Sequence, residues 1–261
     1  MTRALPQLMV APKGARLGWR YHPALPTTLP QILDTARSCF AAGADGLHLH
    51  LRDETGGHLL DAGAYCEALA ALSETVPGMA VQITTEAAGL YTPAAQRALV
   101  RDTAPGLVSI GLRELLSAGE ETAALRLYAD CAQAGPAVQQ ILYDPGDLTR
   151  LATALPEDLL RDRALQLLFV LGSHGGRAGT PSDLNGFLIE MSKLGLSPDW
   201  AVCCFGAGET HCLRLTHGAG GKLRVGFENN WIAADGTVAP DNAARVAEVR
   251  ALIDKRPDVP A

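Results

Sequence analysis

Gly43-Ala44-Asp45-Gly46-Leu47-His48-Leu49-His50-Leu51-Arg52-Asp53 is the stretch on which the reading of this chain turns. A small-residue helix exit, Gly43-Ala44, runs into a strand in which Leu47, Leu49 and Leu51 alternate with His48, His50 and Arg52. Successive strand side chains point to opposite faces. The leucines therefore face a helix layer, and both imidazoles share the other face. Two neutral imidazoles two residues apart on a rigid strand can reach one divalent ion, and zinc favours such donors. A lone His-x-His pair is also met as two ordinary histidines, so the metal reading needs support from elsewhere in the chain.

The bulk properties narrow the field. A chain of 261 residues, 48% hydrophobic and 19% charged, can bury one substantial core. A net charge of −6 gives no electrostatic footprint for nucleic acid. The six cysteines are scattered, with no C-x-x-C and no framework spacing, and read as small core hydrophobes in a reduced, cytoplasmic compartment. No signal peptide is expected at the N-terminus, and no apolar run has the length of a membrane span.

Short apolar runs alternate with helix-like segments throughout. Strands are expected at 8–12, 46–51, 80–85, 107–112, 139–143, 165–171, 201–205 and 223–228. Helices are expected at 29–42, 62–75, 93–102, 120–134, 147–154, 181–194, 207–218 and 241–254. Thr28, Thr92 and Thr180, each closely followed by proline, read as N-caps; Gly43, Gly135 and Gly195 read as stops. This alternation predicts a single-domain (β/α)8 TIM barrel. An open doubly wound sheet would want a glycine-rich phosphate turn after the first strand, and Ala11-Pro12-Lys13-Gly14-Ala15-Arg16 is not one.

Barrel chemistry gathers where the strands end. The expected strand ends deliver Lys13 and Arg16, then His48, His50, Arg52 and Asp53, then Thr84, Thr85 and Glu86, then Ser109 and Arg113. Further round come Tyr143-Asp144, Ser173-His174-Gly175-Gly176 and Arg224-Val225-Gly226-Phe227-Glu228-Asn229-Asn230. Glu228 is the natural third ligand: two imidazoles and a carboxylate leave an open position, the pattern of catalytic zinc. In an extended strand Arg224, Gly226 and Glu228 would share a face. Arg224 reads equally as a catalytic guanidinium or as one half of an ion pair with Asp45 or Asp53. Thr84 and Ser109 offer hydroxyls to a substrate or to the backbone, and Glu86 is placed for proton transfer beside a metal. His174, His211 and His217 read as loop or surface histidines.

These blocks resemble the beta-keto acid cleavage family, the 3-keto-5-aminohexanoate cleavage enzymes and their relatives, in its shorter branch. The resemblance rests on Val10-Ala11-Pro12-x-Gly14-Ala15, on Gly43-Ala44 with His48-x-His50-x-Arg52-Asp53, on Phe169-Val170-Leu171-Gly172, and on Arg224-Val225-Gly226-Phe227-Glu228-Asn229-Asn230. It implies a barrel with zinc or another divalent ion on His48, His50 and Glu228. It also implies acetyl-CoA as co-substrate in a Claisen-type exchange that yields acetoacetate and a new acyl-CoA, and a homo-oligomer. Family roles map Thr84 onto substrate support and Arg224 onto the catalytic arginine.

Two positions depart from the family pattern. Active members follow the metal glutamate with an aspartate that serves as base; here that position is Asn229, and an amide takes no proton at useful pH. The expectation is that Glu86 supplies the base and that Asn229 binds substrate. Members that accept an amino-bearing substrate carry an acid where this chain has Arg16, so an anionic, diacid-like β-keto acid is expected. The competing readings are an amidohydrolase-like metal hydrolase, which would want His-x-His on the first strand, and a metal-binding barrel that has lost its base.

Overall fold

The computed structural model describes residues 4–18 and 20–254. Its first half contains β1 (Leu8–Val10), α1 (Leu29–Ala41), β2 (Gly46–Leu49), β3 (Leu51–Arg52), β4 (His58–Leu59), α2 (Ala62–Thr75), β5 (Ala80–Thr84), α3 (Pro93–Thr103), β6 (Leu107–Gly111), α4 (Leu112–Leu115) and α5 (Glu121–Ala134). The second half contains β7 (Ala137–Leu142), α6 (Pro145–Ala154), α7 (Glu157–Leu160), β8 (Gln166–Leu171), α8 (Pro181–Lys193), β9 (Asp199–Cys204), α9 (Glu209–Gly218), β10 (Lys222–Val225) and α10 (Asn242–Asp254). Eight parallel strands close a barrel in the order β1-β10-β9-β8-β7-β6-β5-β2, while β3 and β4 form a separate antiparallel hairpin. This is a (β/α)8 TIM barrel.

Strand alternation sorts the side chains into two layers. Leu8, Val10, Leu47, Leu49, Ile83, Val108, Leu142, Leu167, Phe169, Val202 and Val225 pack outward into the main apolar cluster beneath the helices. The barrel interior is split. Leu168, Val170, Ala201 and Cys203 join Leu5 and Ile141 in a compact apolar group on the β7–β9 side. His48, Gln82, Thr84, Ser109, Gln139 and Arg224 are also buried, and by alternation they share the interior with that group. A barrel interior that carries this much polar chemistry is built for more than packing.

The helix punctuation follows the sequence. Thr28 and Gln31 make a capping box at α1, and Thr92 accepts from the Ala95 amide at α3. Gly43 and Gly195 take left-handed φ values of 102° and 61°, as helix stops require. Gly135 does not: it is extended, with φ −103°, because the chain passes directly into β7.

Three further differences matter for the site. β2 ends at Leu49, and His50 lies in the gap before the unforeseen β3–β4 hairpin. Asp53 accepts from the Thr55 and Gly57 amides and the Thr55 hydroxyl within that hairpin turn, which commits it to structure rather than to Arg224. β10 stops at Val225, because Gly226 swings to φ +140°, where a β-carbon would stand 2.4 Å from the Ala11 carbonyl oxygen. Glu228 is therefore presented by a turn, and strand alternation does not place it beside Arg224.

Helix α10 is locked to α9 by a largely buried cluster. Arg245 donates to Glu209 at 2.7 Å, to Thr210 at 3.0 Å and to Glu248 at 2.5 Å. Glu209 and Arg245 are both at 0% exposure, so removing one partner strands the other in low dielectric. Arg245→Ala is expected to destabilise the fold by about 3–5 kcal/mol in denaturant unfolding. The paired Arg245→Met/Glu209→Leu change should recover most of that loss.

Candidate active site

His48 and His50 bring their Nε2 atoms 3.1 Å apart. The Glu228 Oε2 atom lies 3.7 Å from the first and 3.6 Å from the second. Among the described residues these three form a group whose ligand atoms all lie within 4.8 Å of one another. Both rings are 1% exposed. Burial, followed by neighbouring positive and imidazole charge, pushes both imidazoles well below their ordinary pKa, so they stand neutral. Neutral imidazole is the form that ligates metal.

The direction of the His48 lone pair is fixed from inside the barrel. Gln139 Nε2 donates to the Leu167 carbonyl at 3.3 Å, which turns its Oε1 to accept from Gln82 Nε2 at 3.0 Å. Gln82 Oε1 then faces His48 Nδ1 at 2.9 Å and must accept its proton. His48 Nε2 is thereby left with a free lone pair aimed at the triad. Gln82 sits directly opposite His48 in the β2–β5 register. Sequence reasoning passed over Gln82 and Gln139, although the period-2 pattern that exposes Thr84 to the interior does the same for Gln82.

Glu228 is held by its backbone and by one oxygen. Its amide donates to the Ala11 carbonyl at 3.1 Å, and Oε1 accepts from Arg224 Nη2 at 2.9 Å. Its Oε2 is buried without a hydrogen-bond partner. A β-carbon on Gly14 would sit 2.9 Å from the Glu228 Cγ, so glycine there makes room for the carboxylate. Two neutral imidazoles and a carboxylate with a free oxygen fit a divalent ion.

Arg224 shares its Nη2 between Glu228 and the Cys203 thiol, while Nε and Nη1 are buried without partners. It makes no pair with Asp45, which instead accepts from the Gln7 and Leu8 amides. Asn229 is 7% exposed, and neither side-chain atom has a partner. Asn230 next to it is structural, bonded to Glu209 and to the Ile232 backbone.

Glu86 stands beside the triad on a segment pinned at almost every backbone group. Its amide donates to Thr84 Oγ1 at 3.0 Å, its carbonyl faces His58 Nε2 at 2.7 Å, and the next amide, Ala87, donates to Glu114 at 3.0 Å. Its carboxylate remains free of hydrogen bonds, with Oε2 3.9 Å from His50 Nε2. Burial, with Glu228 and Glu114 adding to it against Arg16 and Arg224, pushes this carboxyl up to about 7. Thr84 thus positions Glu86. Ser109 is fully buried and its hydroxyl donates to the Ile83 carbonyl at a long 3.5 Å.

Other expected mouth residues take structural work. Arg52 donates to the Gly14, Ala15 and Leu17 carbonyls, and Arg113 is tied to Asp144 and Asp147. His174 and His211 are exposed. Arg16 is exposed on the loop after β1, and its charge reaches Glu86, Glu114, His58 and His174. A cavity lined by Tyr128, Cys131, Val138, Gln140 and Leu155 opens elsewhere, against β7 and α5, and gathers no ligating cluster.

A family model described as BKACE, beta-keto acid cleavage enzyme, matches residues 7–261. The chain is 24% identical over 258 residues to a 3-oxoadipate:acetyl-CoA acetyltransferase of Cupriavidus necator, covering 95% of this chain and 88% of that one. It is also 24% identical over 242 residues to a 3-keto-5-aminohexanoate cleavage enzyme of Acetoanaerobium sticklandii, covering 90% and 87%. Among solved structures, ObcA in a binary complex with oxaloacetate superposes with a TM-score of 0.67 at 15% identity, over 88% of this chain and 63% of the ObcA chain. That likeness concerns the fold alone.

Replacing Gln82 by Leu removes the acceptor that orients His48. Metal affinity, measured by competition with a chromogenic chelator, is expected to fall about 10- to 100-fold, with the fold retained by circular dichroism.

Proposed function

Because this chain belongs to the beta-keto acid cleavage enzyme family, we propose that it exchanges acyl groups between an anionic β-keto acid and acetyl-CoA, giving acetoacetate and a new acyl-CoA, with a divalent ion, zinc by donor type, on His48, His50 and Glu228. The observation that carries this reading is the open hydrogen-bonding capacity at one barrel mouth. Glu228 Oε2, Arg224 Nε and Nη1, and both Asn229 side-chain atoms are buried there and unpartnered. Such groups cost stability unless a ligand completes them.

An ion bound there supplies Lewis-acid polarisation of the keto oxygen. The chain's own residues divide the remaining work. Glu86 removes the proton from the carbon between the keto and carboxylate groups, and its pinned backbone keeps the free carboxylate in place. The resulting carbanion attacks the thioester carbonyl, and the CoA thiolate leaves. That thiolate then attacks the original keto carbon. The carbon–carbon bond breaks, acetoacetate departs as an enolate that recovers the proton from Glu86, and the acyl group leaves on CoA. The free donors of Arg224 stabilise the oxyanions at both carbonyl additions. Asn229 offers an amide N–H to a substrate oxygen and takes no proton.

Substrate charge is the finer point. Arg16 stands exposed without an ion pair among the described residues and offers a guanidinium fork to a distal carboxylate. The named substrate of the Cupriavidus necator relative, 3-oxoadipate, is a β-keto acid of this dicarboxylate kind.

Metal-replete protein incubated with acetyl-CoA and a panel of mono- and dicarboxylate β-keto acids should form new CoA esters detectable by mass. Silence across the panel with metal bound would defeat the exchange reading. Glu86→Gln should lower kcat about 100- to 10,000-fold at unchanged metal content; near-normal turnover would remove Glu86 as the base. Arg16→Glu should weaken dicarboxylates about 10- to 100-fold and spare monocarboxylates; equal losses on both would remove Arg16 from substrate selection.

A further inference from the structure

Lys13 is the residue the exchange reading leaves without a role. It is 1% exposed, and its Nζ is buried with no hydrogen-bond partner. A lysine ammonium wants three acceptors, and a buried one without a carboxylate is among the most costly arrangements a fold can hold. Among the described residues no hydrogen bond reaches that Nζ. The charged group that acts on it is Arg52, of like sign.

The backbone around Lys13 is held by hydrogen bonds on both sides. The Ala11 amide donates to the Val225 carbonyl at 2.8 Å. The Pro12 carbonyl accepts from Asn242 Nδ2 at 3.2 Å, and the same Asn242 accepts from the Phe227 amide at 2.9 Å. On the other side, Arg52 holds the Gly14, Ala15 and Leu17 carbonyls. Lys13 therefore projects from a fixed platform and is not a stray surface chain folded inward. Its charge is felt at His50 and His58, in keeping with a place beside the candidate metal centre. Gly14, next in the chain, abuts Glu228.

We propose that Lys13 is an anchor for the carboxylate of the substrate, the inner member of a pair of cations that flank Gly14-Ala15. Buried Lys13 takes the carboxylate nearest the reacting carbons, and exposed Arg16 takes a distal one. The inference deepens the β-keto acid reading of the site and rests on it. The missing counter-ion of Lys13 is the ligand itself. The free protein bears the cost of an unpaired buried amine, which the bound carboxylate offsets through a charge-assisted hydrogen bond. Burial also draws the Lys13 amine down to about 7 in the free protein, and a bound carboxylate opposes that shift.

The test is equilibrium binding to metal-replete protein, read by calorimetry with acetoacetate and with its uncharged methyl ester, beside metal content and melting temperature. Lys13→Met is expected to weaken acetoacetate about 10- to 100-fold and leave the ester unchanged. It should keep the metal and raise the melting temperature, because a near-isosteric thioether removes an unpaired polar group from the interior. Lys13→Arg, which keeps the charge, should hold part of the acetoacetate affinity. Equal losses on acid and ester, a lowered melting temperature, or undiminished acetoacetate binding would each overturn the proposal, and so would wild-type protein that binds no carboxylate. Carboxylate binding that depends on Lys13 in a protein without acyl exchange would keep the anchor and refute the exchange reading alone.

Discussion

Closure of the barrel between its first and last strands is the constraint on which everything at this site depends. The two imidazoles come from the end of β2 and the carboxylate from the turn after β10, at opposite ends of the sequence. They meet because β1 pairs with both neighbours, Val10 lying beside Leu47 on one side and Val225 on the other. Past the paired strands the zipper continues. The Ala11 amide takes the Val225 carbonyl, and the Ala11 carbonyl takes the Glu228 amide. Gly226 makes that last bond possible, since a β-carbon there would stand 2.4 Å from the Ala11 oxygen. Glu228 is thus aimed by main-chain geometry, and Arg224 needs only to hold one of its oxygens.

Buried polar groups in this molecule fall into two populations. One is paired within the fold and structural: Arg245 with Glu209, Thr210 and Glu248, where only Arg245 Nε and Glu209 Oε1 stay open, and the Gln82–Gln139 relay that ends on the Leu167 carbonyl. The other, found at the mouth, is left incomplete in Lys13, Arg224, Glu228 and Asn229. Interiors ordinarily complete their hydrogen bonds. A concentration of open donors and acceptors around one carboxylate and two imidazoles marks where a ligand belongs.

Much of this was legible in the sequence. Element existence followed from alternating strand runs and capped helical segments, because both patterns are local. The pairing of His48 with His50 followed from period 2, and Glu228 followed from its strand-end position and the family blocks. What the linear pattern could not carry was main-chain direction after the strands end. An extended reading of 223–228 put Arg224 and Glu228 on one face. The two residues do touch, at 2.9 Å, but through a turn at Gly226. Arg52 looked like a mouth residue and became a brace for the β1 loop, since strand β2 stops before it. Lys13 looked like an ordinary strand-end cation; only its burial, a tertiary property that no local pattern carries, gives it meaning.

The Asn242 side chain joins these threads in a different way. One amide group grips the Pro12 carbonyl beside Lys13 and the Phe227 amide beside Glu228, from the first turn of the last described helix. A ligand that spans the His48–His50–Glu228 group and Lys13 would therefore bridge the first and last strands of the barrel, which stand side by side only in the native state. Such a ligand acts as a clasp on the whole topology. Its binding energy adds to the folding energy of the closed barrel and not to that of any open form.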